Sequence, residues 1–213
     1  MNNVRNEMTP ANEKKGLLIV LSGPAGSGKG TVLSHLLKDE SYRCSVSATT
    51  RQPRPGEVNG VNYHFLTRDA FLDRIAKDEM LEYAEYCGNY YGTPKKEAEE
   101  MLEAGYNLVL EIEVEGAANI KRKFPGAVTI MLLPPSGAVL EERLRGRNTE
   151  SEEVIQERMA RARKEVARVD SYDYVVYNYD GKAAEAAEII RRIIFAEQYS
   201  TVHNPHIADS YFD

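Results

Sequence analysis

Apolar residues in this chain alternate between short continuous runs and helically spaced positions, a pattern typical of strands that alternate with helices. Apolar runs predict buried strands at residues 17–21, 42–47, 107–113, 127–133 and 174–177. Apolar residues three and four apart predict helices between them, the last over residues 182–195. Strands that are apolar on both faces indicate a parallel sheet covered by helices on both sides. The sequence therefore predicts an α/β fold.

A glycine-rich segment separates the first apolar run from the helix that follows it. It consists of Gly23, Pro24, Ala25, Gly26, Ser27, Gly28, Lys29, Gly30 and Thr31. Glycines let the backbone turn its N–H groups inward, and the N-terminus of the next helix adds partial positive charge there. A strand, such a loop and a helix in succession predict a phosphate-binding loop of the P-loop kinase fold, with Lys29 on the outer phosphates. The alternative, a turn that binds nothing, is disfavoured because both the strand and the helix are present.

The composition changes between residues 48 and 93, where prolines, glycines and short strands replace the apolar runs. We expect a small mixed α+β insertion there. Arg51 and Arg54 lie in its first loop, and two guanidinium groups can bind phosphate oxygens in pairs. A solvated charged loop is the alternative. Tyr63 and Tyr91 could donate phenolic hydrogen bonds, although ordinary strand packing would equally explain them.

The net charge, cysteine content and hydrophobicity of the chain restrict the classes of protein to which it can belong. The chain has 213 residues and a net charge of −6, which argues against a general nucleic-acid or anionic-membrane binder. Cys44 and Cys87 lack metal-ligand or redox spacing, so we expect two reduced thiols. No apolar run approaches the length of a membrane span. We expect a cytoplasmic monomer or small homo-oligomer whose partners are small molecules, with no nucleic acid and no membrane.

Several segments resemble those of guanylate kinases and follow in the same order over about residues 16–197. They are the phosphate loop and residues 47–63, 88–93, 110–116 and 143–147. The resemblance implies a phosphoryl transfer from ATP to GMP, with Mg²⁺ bound together with ATP. It also implies three parts: a core (residues 16–47, 94–142 and 170–197), a GMP-binding insertion (48–93) and a helical lid (143–169). Residues 1–15 and 198–213 are predicted to be a flexible N-terminal tail and a polar, loosely attached C-terminal tail.

The resemblance also implies roles for individual residues. GMP would contact Ser47, Arg51, Arg54, Tyr63, Glu82, Tyr91, Thr93 and Glu113. ATP would contact the whole phosphate loop, Gly23 to Thr31, and Asn178. The catalytic residues would be Lys29, Arg51, Arg143, Arg147 and Arg158. Mg²⁺ would be held by Thr31 and Glu111, directly or through water. We expect Arg145, Arg161 and Arg163 to lie on an exposed charged surface of the lid.

Guanine chemistry supports the assignment of Glu82. Guanine presents its N1–H and N2–H donors side by side, and one carboxylate can accept both. Adenine has an acceptor at N1 and no amine at C2, so the same carboxylate would face a lone pair. A site that depends on such hydrogen bonds rejects a mismatched analogue by about 10⁴-fold, whereas shape alone gives about 10²-fold.

The chain departs from the family pattern at three places. Gly30 replaces the usual Ser or Thr of the phosphate loop, which leaves a direct metal contact by Thr31 open. Glu111 and Glu113 stand where many members have Asp, and Glu115 stands where Gln is usual. Two alternative functions are another nucleoside monophosphate kinase and a non-catalytic guanylate-kinase-like module that binds proteins.

Overall fold

The computed structural model describes residues 15–146 and 151–205, and the statements below concern those residues. The strands are β1 (Leu18–Ser22), β2 (Tyr42–Cys44), β3 (Ala48–Thr49), β4 (His64–Phe65), β5 (Met80–Tyr86), β6 (Asn89–Pro94), β7 (Asn107–Glu111), β8 (Val128–Leu133) and β9 (Tyr174–Tyr177). The helices are α1 (Lys29–Leu36), α2 (Arg68–Ala76), α3 (Lys95–Glu103), α4 (Val114–Lys123), α5 (Gly137–Arg145), α6 (Glu152–Val166) and α7 (Ala183–Glu197). None of these helices is long and apolar enough to cross a membrane.

The main sheet is parallel, with the strand order β2-β7-β1-β8-β9. Alternate residues of β1 point to opposite faces, since successive side chains of a strand alternate. Ile19 and Leu21 pack with α1 and α7, whereas Leu18 and Val20 pack with α3 and α4. The predicted α/β fold, with a parallel sheet between two layers of helices, is therefore confirmed.

A second, mixed sheet with the order β4-β3-β6-β5 lies within the part of the chain predicted as an insertion. One of its edge strands, β5, is joined to the main body because Leu81 packs in the core cluster of α3 and α4. Lys123 of α4 strengthens this connection by donating its Nζ to the carbonyl oxygen of Leu81 at 3.2 Å. The second sheet is thus fixed to the main sheet along its β5 edge.

Helices α5 and α6 form a hairpin with its own small core of Leu140, Leu144, Ile155, Met159 and Ala162. The sequence places a capping box at residues 149–152, but 147–150 lie outside the described residues. In the structure, α6 begins at Glu152 and Ser151 is its N-cap residue. This hairpin covers most of the segment predicted to be the lid.

Some expectations about details are wrong. The strand predicted at 107–113 ends at Glu111, and Glu113 is instead the N-cap residue of α4. Residues 198–205 form turns, and His203 Nε2 lies 2.7 Å from the carbonyl oxygen of Gly126. The described part of the polar C-terminal segment is therefore attached to the body, by contacts with the backbone that its composition could not reveal.

Asp173 joins the start of β9 to β8 and α4. Its Oδ2 accepts hydrogen bonds from the backbone N–H and Oγ1 of Thr129 at 2.9 and 2.8 Å, and from Nζ of Lys121 at 2.7 Å. Burial alone would raise the pKa of Asp173, but the contacts with Lys121 and Thr129 outweigh it and lower the pKa. The ionised carboxylate is therefore part of the folded structure.

We expect Asp173→Asn to lower the free energy of unfolding at pH 7 by about 1–2 kcal/mol, because it removes a charge-assisted hydrogen bond. Since the folded pKa is depressed, this stability is present above the unfolded pKa of about 3.9 and is lost as the pH falls through the folded value. Urea unfolding at pH 7 and pH 3 measures both effects. The control is Asp73→Asn, which disrupts only an exposed pair with Lys77. If Asp173→Asn and Asp73→Asn lose the same free energy of unfolding at pH 7, this account of Asp173 is contradicted.

Candidate functional site

A cleft of about 890 Å³ lies between the carboxyl ends of the main-sheet strands, the second sheet and helix α6. Its volume falls in the range of small-molecule sites. It brings together many of the predicted site residues: Lys29, Ser47, Arg51, Arg54, Tyr63, Glu82, Tyr91, Glu111 and Glu113. These residues come from five separate segments of the chain.

The phosphate loop connects β1 to α1, as predicted. Gly23 has φ +147°, and a Cβ there would lie 2.2 Å from the carbonyl oxygen of Leu132. Gly28 is the N-cap residue of α1 with φ +89°, a conformation that glycine adopts readily. By contrast, a Cβ on Gly30 would meet nothing within 4 Å, so the structure does not require glycine there.

Lys29 begins α1, and its side chain folds back over the loop. Its Nζ donates to the carbonyl oxygen of Gly23 at 2.6 Å. In the same loop, Ser27 Oγ is buried and has no hydrogen-bond partner among the described residues. Thr31 lies in the first turn of α1 and is exposed. The loop thus combines a lysine ammonium group with an unpartnered hydroxyl at the N-terminus of a helix.

Asn178 and Arg143 contact the back of this loop. Nδ2 of Asn178 donates to the carbonyl oxygen of Ser27 at 2.9 Å. Arg143 Nη2 donates to the carbonyl oxygen of Asn178 at 2.8 Å and to Oδ1 of Asp180 at 2.6 Å. Asp180 was not among the predicted site residues, although its place just after a strand end offered a signal. Arg143 is therefore held beside the loop by a carboxylate.

Glu82 is the most deeply buried carboxylate of the cleft, with only 3% of its surface exposed. Thr93 Oγ1 donates to its Oε1 at 3.0 Å. Its Oε2 lies 3.1 Å from the position that a Cβ on Gly116 would occupy, so α4 approaches it closely. Burial raises the pKa of Glu82 to about 7, against the opposing effect of the Thr93 hydrogen bond. Glu82 therefore changes its protonation state near neutral pH.

Arg51 and Arg54 lie at the opposite end of the second sheet from Glu82. Arg51 Nη2 donates to Oε1 of Glu57 at 2.9 Å, and the backbone N–H of Arg54 donates to Oε2 at 2.7 Å. The Arg51 guanidinium holds the pKa of Glu57 below its usual value. Sequence reasoning missed Glu57, although a carboxylate six residues after Arg51 in a Pro-Gly turn was a usable signal. In this state Glu57 is the anion that contacts Arg51.

A row of aromatic rings runs along the second sheet. The rings of Tyr63 and Tyr91 meet edge to face at 6.2 Å, and so do those of Tyr91 and Tyr86. Arg51 lies over Tyr63 at 5.5 Å at one end of the row. At the other end, Arg161 of α6 lies over Tyr86, with Cζ 3.9 Å from the ring centroid. The tyrosines predicted for the site are therefore in contact with each other and with arginines.

Acidic residues follow the end of β7. Burial raises the pKa of both Glu111 and Glu113, and the positive charge of Lys29 opposes that shift in each. Glu115, which stands in place of the usual Gln, also lines the cleft. Lys29 and these carboxylates therefore form a mixed-charge region between the phosphate loop and the second sheet.

The lid arginines divide into several groups. Arg158 is half-buried in α6 and is not among the residues that line the cleft, while Arg147 lies outside the described residues. Arg145 pairs with Glu141 and Glu152, and Arg163 is exposed, as expected. The expectation for Arg161 is wrong, because it lines the cleft and contacts two carboxylates and an aromatic ring.

Comparison with known proteins identifies the family. The family model described as Guanylate kinase matches residues 15–197. The chain is 46% identical over 196 residues to a guanylate kinase of Desulfitobacterium hafniense (strain Y51), covering 92% of this chain and 97% of that protein. It is 53% identical over 186 residues to a guanylate kinase of Halalkalibacterium halodurans, covering 87% and 90%. The chain belongs to the guanylate kinase family.

A solved structure of the same family agrees with this fold. The crystal structure of guanylate kinase from Anaplasma phagocytophilum matches with a TM-score of 0.73 and 34% identity, over 90% of each chain. The assignment from the sequence to the guanylate kinases, and so to the phosphotransferases, is confirmed. The comparisons do not favour the alternative of a non-catalytic module.

The pKa of Glu82 predicts a pH dependence of stability. Because its folded pKa of about 7 exceeds the ordinary glutamate value of 4.5, the folded state binds more protons between these values, and stability falls as the pH rises through this window. From pH 5 to pH 8 we expect Glu82 to cost about 2–3 kcal/mol of unfolding free energy. Chemical unfolding of the chain and of Glu82→Gln at both pH values measures the difference. If the two proteins differ in unfolding free energy by the same amount at pH 5 and at pH 8, the assignment of this pKa to Glu82 is contradicted.

Proposed function

We propose that this protein transfers the γ-phosphoryl group of ATP to GMP, giving ADP and GDP, and that the two nucleotides bind at opposite ends of the cleft. The observation that carries the proposal is the buried Glu82 facing the same cleft as Lys29 of the phosphate loop. Among the described residues, Glu82 at one end has no cationic partner within hydrogen-bond reach, and the other end offers a phosphate-binding loop. We assign the protein to the cytoplasm, as a monomer or small homo-oligomer that acts on small molecules.

Guanine binds at the buried end. Ionised Glu82 accepts the N1–H and N2–H groups of the base, and Thr93 already holds one of its oxygens. Glu113 lies nearby to accept from the exocyclic amine, and the hydroxyl of Ser47 donates to O6. Because adenine offers no such pair of donors, the desolvated, ionised carboxylate would keep only its Thr93 hydrogen bond and would face a lone pair, so AMP is rejected.

The GMP phosphate binds at the other end of the second sheet. Arg51 and Arg54 supply paired donors for its oxygens, and the phenols of Tyr63 and Tyr91 add neutral ones. In the structure Glu57 accepts hydrogen bonds from Arg51 and from the Arg54 backbone. GMP binding therefore replaces the Glu57 carboxylate with the GMP phosphate as the partner of Arg51. Before GMP arrives, Glu57 keeps the guanidinium oriented.

ATP binds at the phosphate loop, from Gly23 to Thr31. The inward N–H groups, the α1 N-terminus and Lys29 stabilise the charge on its outer phosphates. Asn178 supports the loop through Ser27 on the adenosine side. The lid segment, residues 143–169, carries Arg143, Arg147 and Arg158, which we assign to the transferring phosphoryl group and to the exclusion of water, the competing acceptor.

Hard oxygen ligands beside Lys29 fit a magnesium ion that arrives with ATP. Mg²⁺ in kinases is bound by one or two protein oxygens together with the phosphates, and Glu111 offers a carboxylate at the end of β7 next to Lys29. Glu111, directly or through water, and the Thr31 hydroxyl would hold it. When bound, the ion neutralises charge on the β- and γ-phosphates.

A coupled assay of ADP release tests the proposed reaction. GMP, dGMP, AMP, UMP and CMP are compared as acceptors at equal concentration, and we expect turnover only with the guanine nucleotides. Lys29→Ala should abolish turnover because the loop loses its full positive charge, whereas Lys38→Ala, on the exposed end beyond α1, should not. Turnover of AMP without GMP would overturn the proposal in favour of another nucleoside monophosphate kinase.

Glu82→Gln should damage guanine use selectively. The amide offers one acceptor and places an NH₂ donor against a guanine donor, so we expect kcat/KM for GMP to fall by about 10²–10³-fold. The KM for ATP should stay within about twofold, since ATP binds at the other wall. Steady-state kinetics with each substrate varied in turn measures the two constants. An unchanged KM for GMP would contradict the base assignment.

A further inference from the structure

We propose that Arg161 is a positioning residue that links helix α6 of the lid to the wall of the cleft assigned to GMP. The inference rests on the proposed function and adds to it a residue for which the sequence predicted only exposed surface. It is carried by the contacts of one side chain with three separate parts of the molecule.

The first contact is with the second sheet. The guanidinium of Arg161 lies over the ring of Tyr86, with Cζ 3.9 Å from the centroid, the shortest arginine-to-ring distance of those described. Tyr86 ends β5, the strand that also carries Glu82, the residue assigned to the base. A guanidinium over an aromatic ring is attracted by the negative charge of the ring face, and the attraction strengthens as the pair loses water.

The second contact is with the N-cap residue of α4, and the third is within α6. Arg161 Nη2 lies 3.8 Å from Oε2 of Glu113, and its Nε donates to Oε1 of Glu165 at 2.7 Å. Glu165 is buried, and each of the two carboxylates faces the other's negative charge. Arg161 contacts both, so it offsets their repulsion where α6 meets the N-terminus of α4.

These contacts extend along the aromatic row to the phosphate end of the site. Tyr86 meets Tyr91, Tyr91 meets Tyr63, and Arg51 lies over Tyr63. A nucleotide that packs against Glu113 rests on a group that contacts Arg161 directly, and one that packs against Tyr91 reaches Arg161 through Tyr86. Occupation of the GMP site therefore stabilises the position of α6, and α6 stabilises bound GMP in return.

Arg161→Gln tests the link, with Arg163→Gln as the matched control. Arg163 lies two residues away in the same helix and is exposed. We expect Arg161→Gln to raise the KM for GMP by about threefold to tenfold, the fold-change that corresponds to a cation–π contact. The KM for ATP should match that of Arg163→Gln. The melting temperature should be lower for Arg161→Gln, because the buried Glu165 loses its partner, so the kinetics are measured well below both melting transitions. Arg161→Lys should recover part of the loss, because it restores the positive charge.

A double-mutant cycle with Tyr86 separates positioning from a general structural effect. Tyr86→Phe keeps the ring and should leave the KM for GMP within about twofold, whereas Tyr86→Leu should raise it. Arg161→Gln added to Tyr86→Leu should then have little further effect. If the two substitutions raise the KM for GMP independently, so that their effects multiply, the inference is overturned. It is also overturned if Arg161→Gln has the same KM for GMP as the Arg163→Gln control. Absence of GMP turnover in the unsubstituted chain would instead overturn the proposed function, and the inference with it.

Discussion

The site depends on one geometric constraint: all strands of the main sheet are parallel, so their carboxyl ends lie at the same edge. The phosphate loop follows β1, Glu111 ends β7 with Glu113 just beyond it, and Asn178 follows β9. Ser27 and Asn178, which are 151 positions apart in the chain, therefore meet without any long excursion of the backbone. Ligand sites of open α/β sheets occur at this edge for the same reason.

A second feature of the site is that three of its arginines are paired with carboxylates. Arg51 contacts Glu57, Arg143 contacts Asp180, and Arg161 contacts Glu113 and Glu165. Such pairs fix the direction of a guanidinium whose side chain would otherwise sample many rotamers. A phosphate that binds one of these arginines must displace a carboxylate. Its affinity therefore depends on how much more strongly the guanidinium binds phosphate than carboxylate, and not on its attraction to the phosphate alone.

Much of the fold could be predicted from local signals. Continuous apolar runs identified the strands of the main sheet, and the glycine-rich loop between a strand and a helix identified the first nucleotide site. The contacts of Arg161 could not be predicted, because an arginine in a charged helix has the same local pattern whether it faces solvent or a cleft. The attachment of His203 to the body was missed for a related reason, since its distant partner is the backbone carbonyl of Gly126, which carries no sequence information. Glu57 lies only six residues from Arg51, so its spacing was a signal that was overlooked, whereas Asp180 lies 37 residues from Arg143 and their pairing needed the fold.

The attachment of the second sheet along β5 has a mechanical consequence. Leu81 belongs to the core of the main body, and the next residue, Glu82, faces the cleft. Tyr63 and Arg51 belong to the far edge, beyond β6 and β3. A rigid rotation of the second sheet about its β5 edge would move the guanidinium of Arg51 a long way while the carboxylate of Glu82 hardly moved. If Glu82 and Arg51 bind GMP as proposed, such a rotation would leave the purine in place and move its phosphate toward the donor nucleotide.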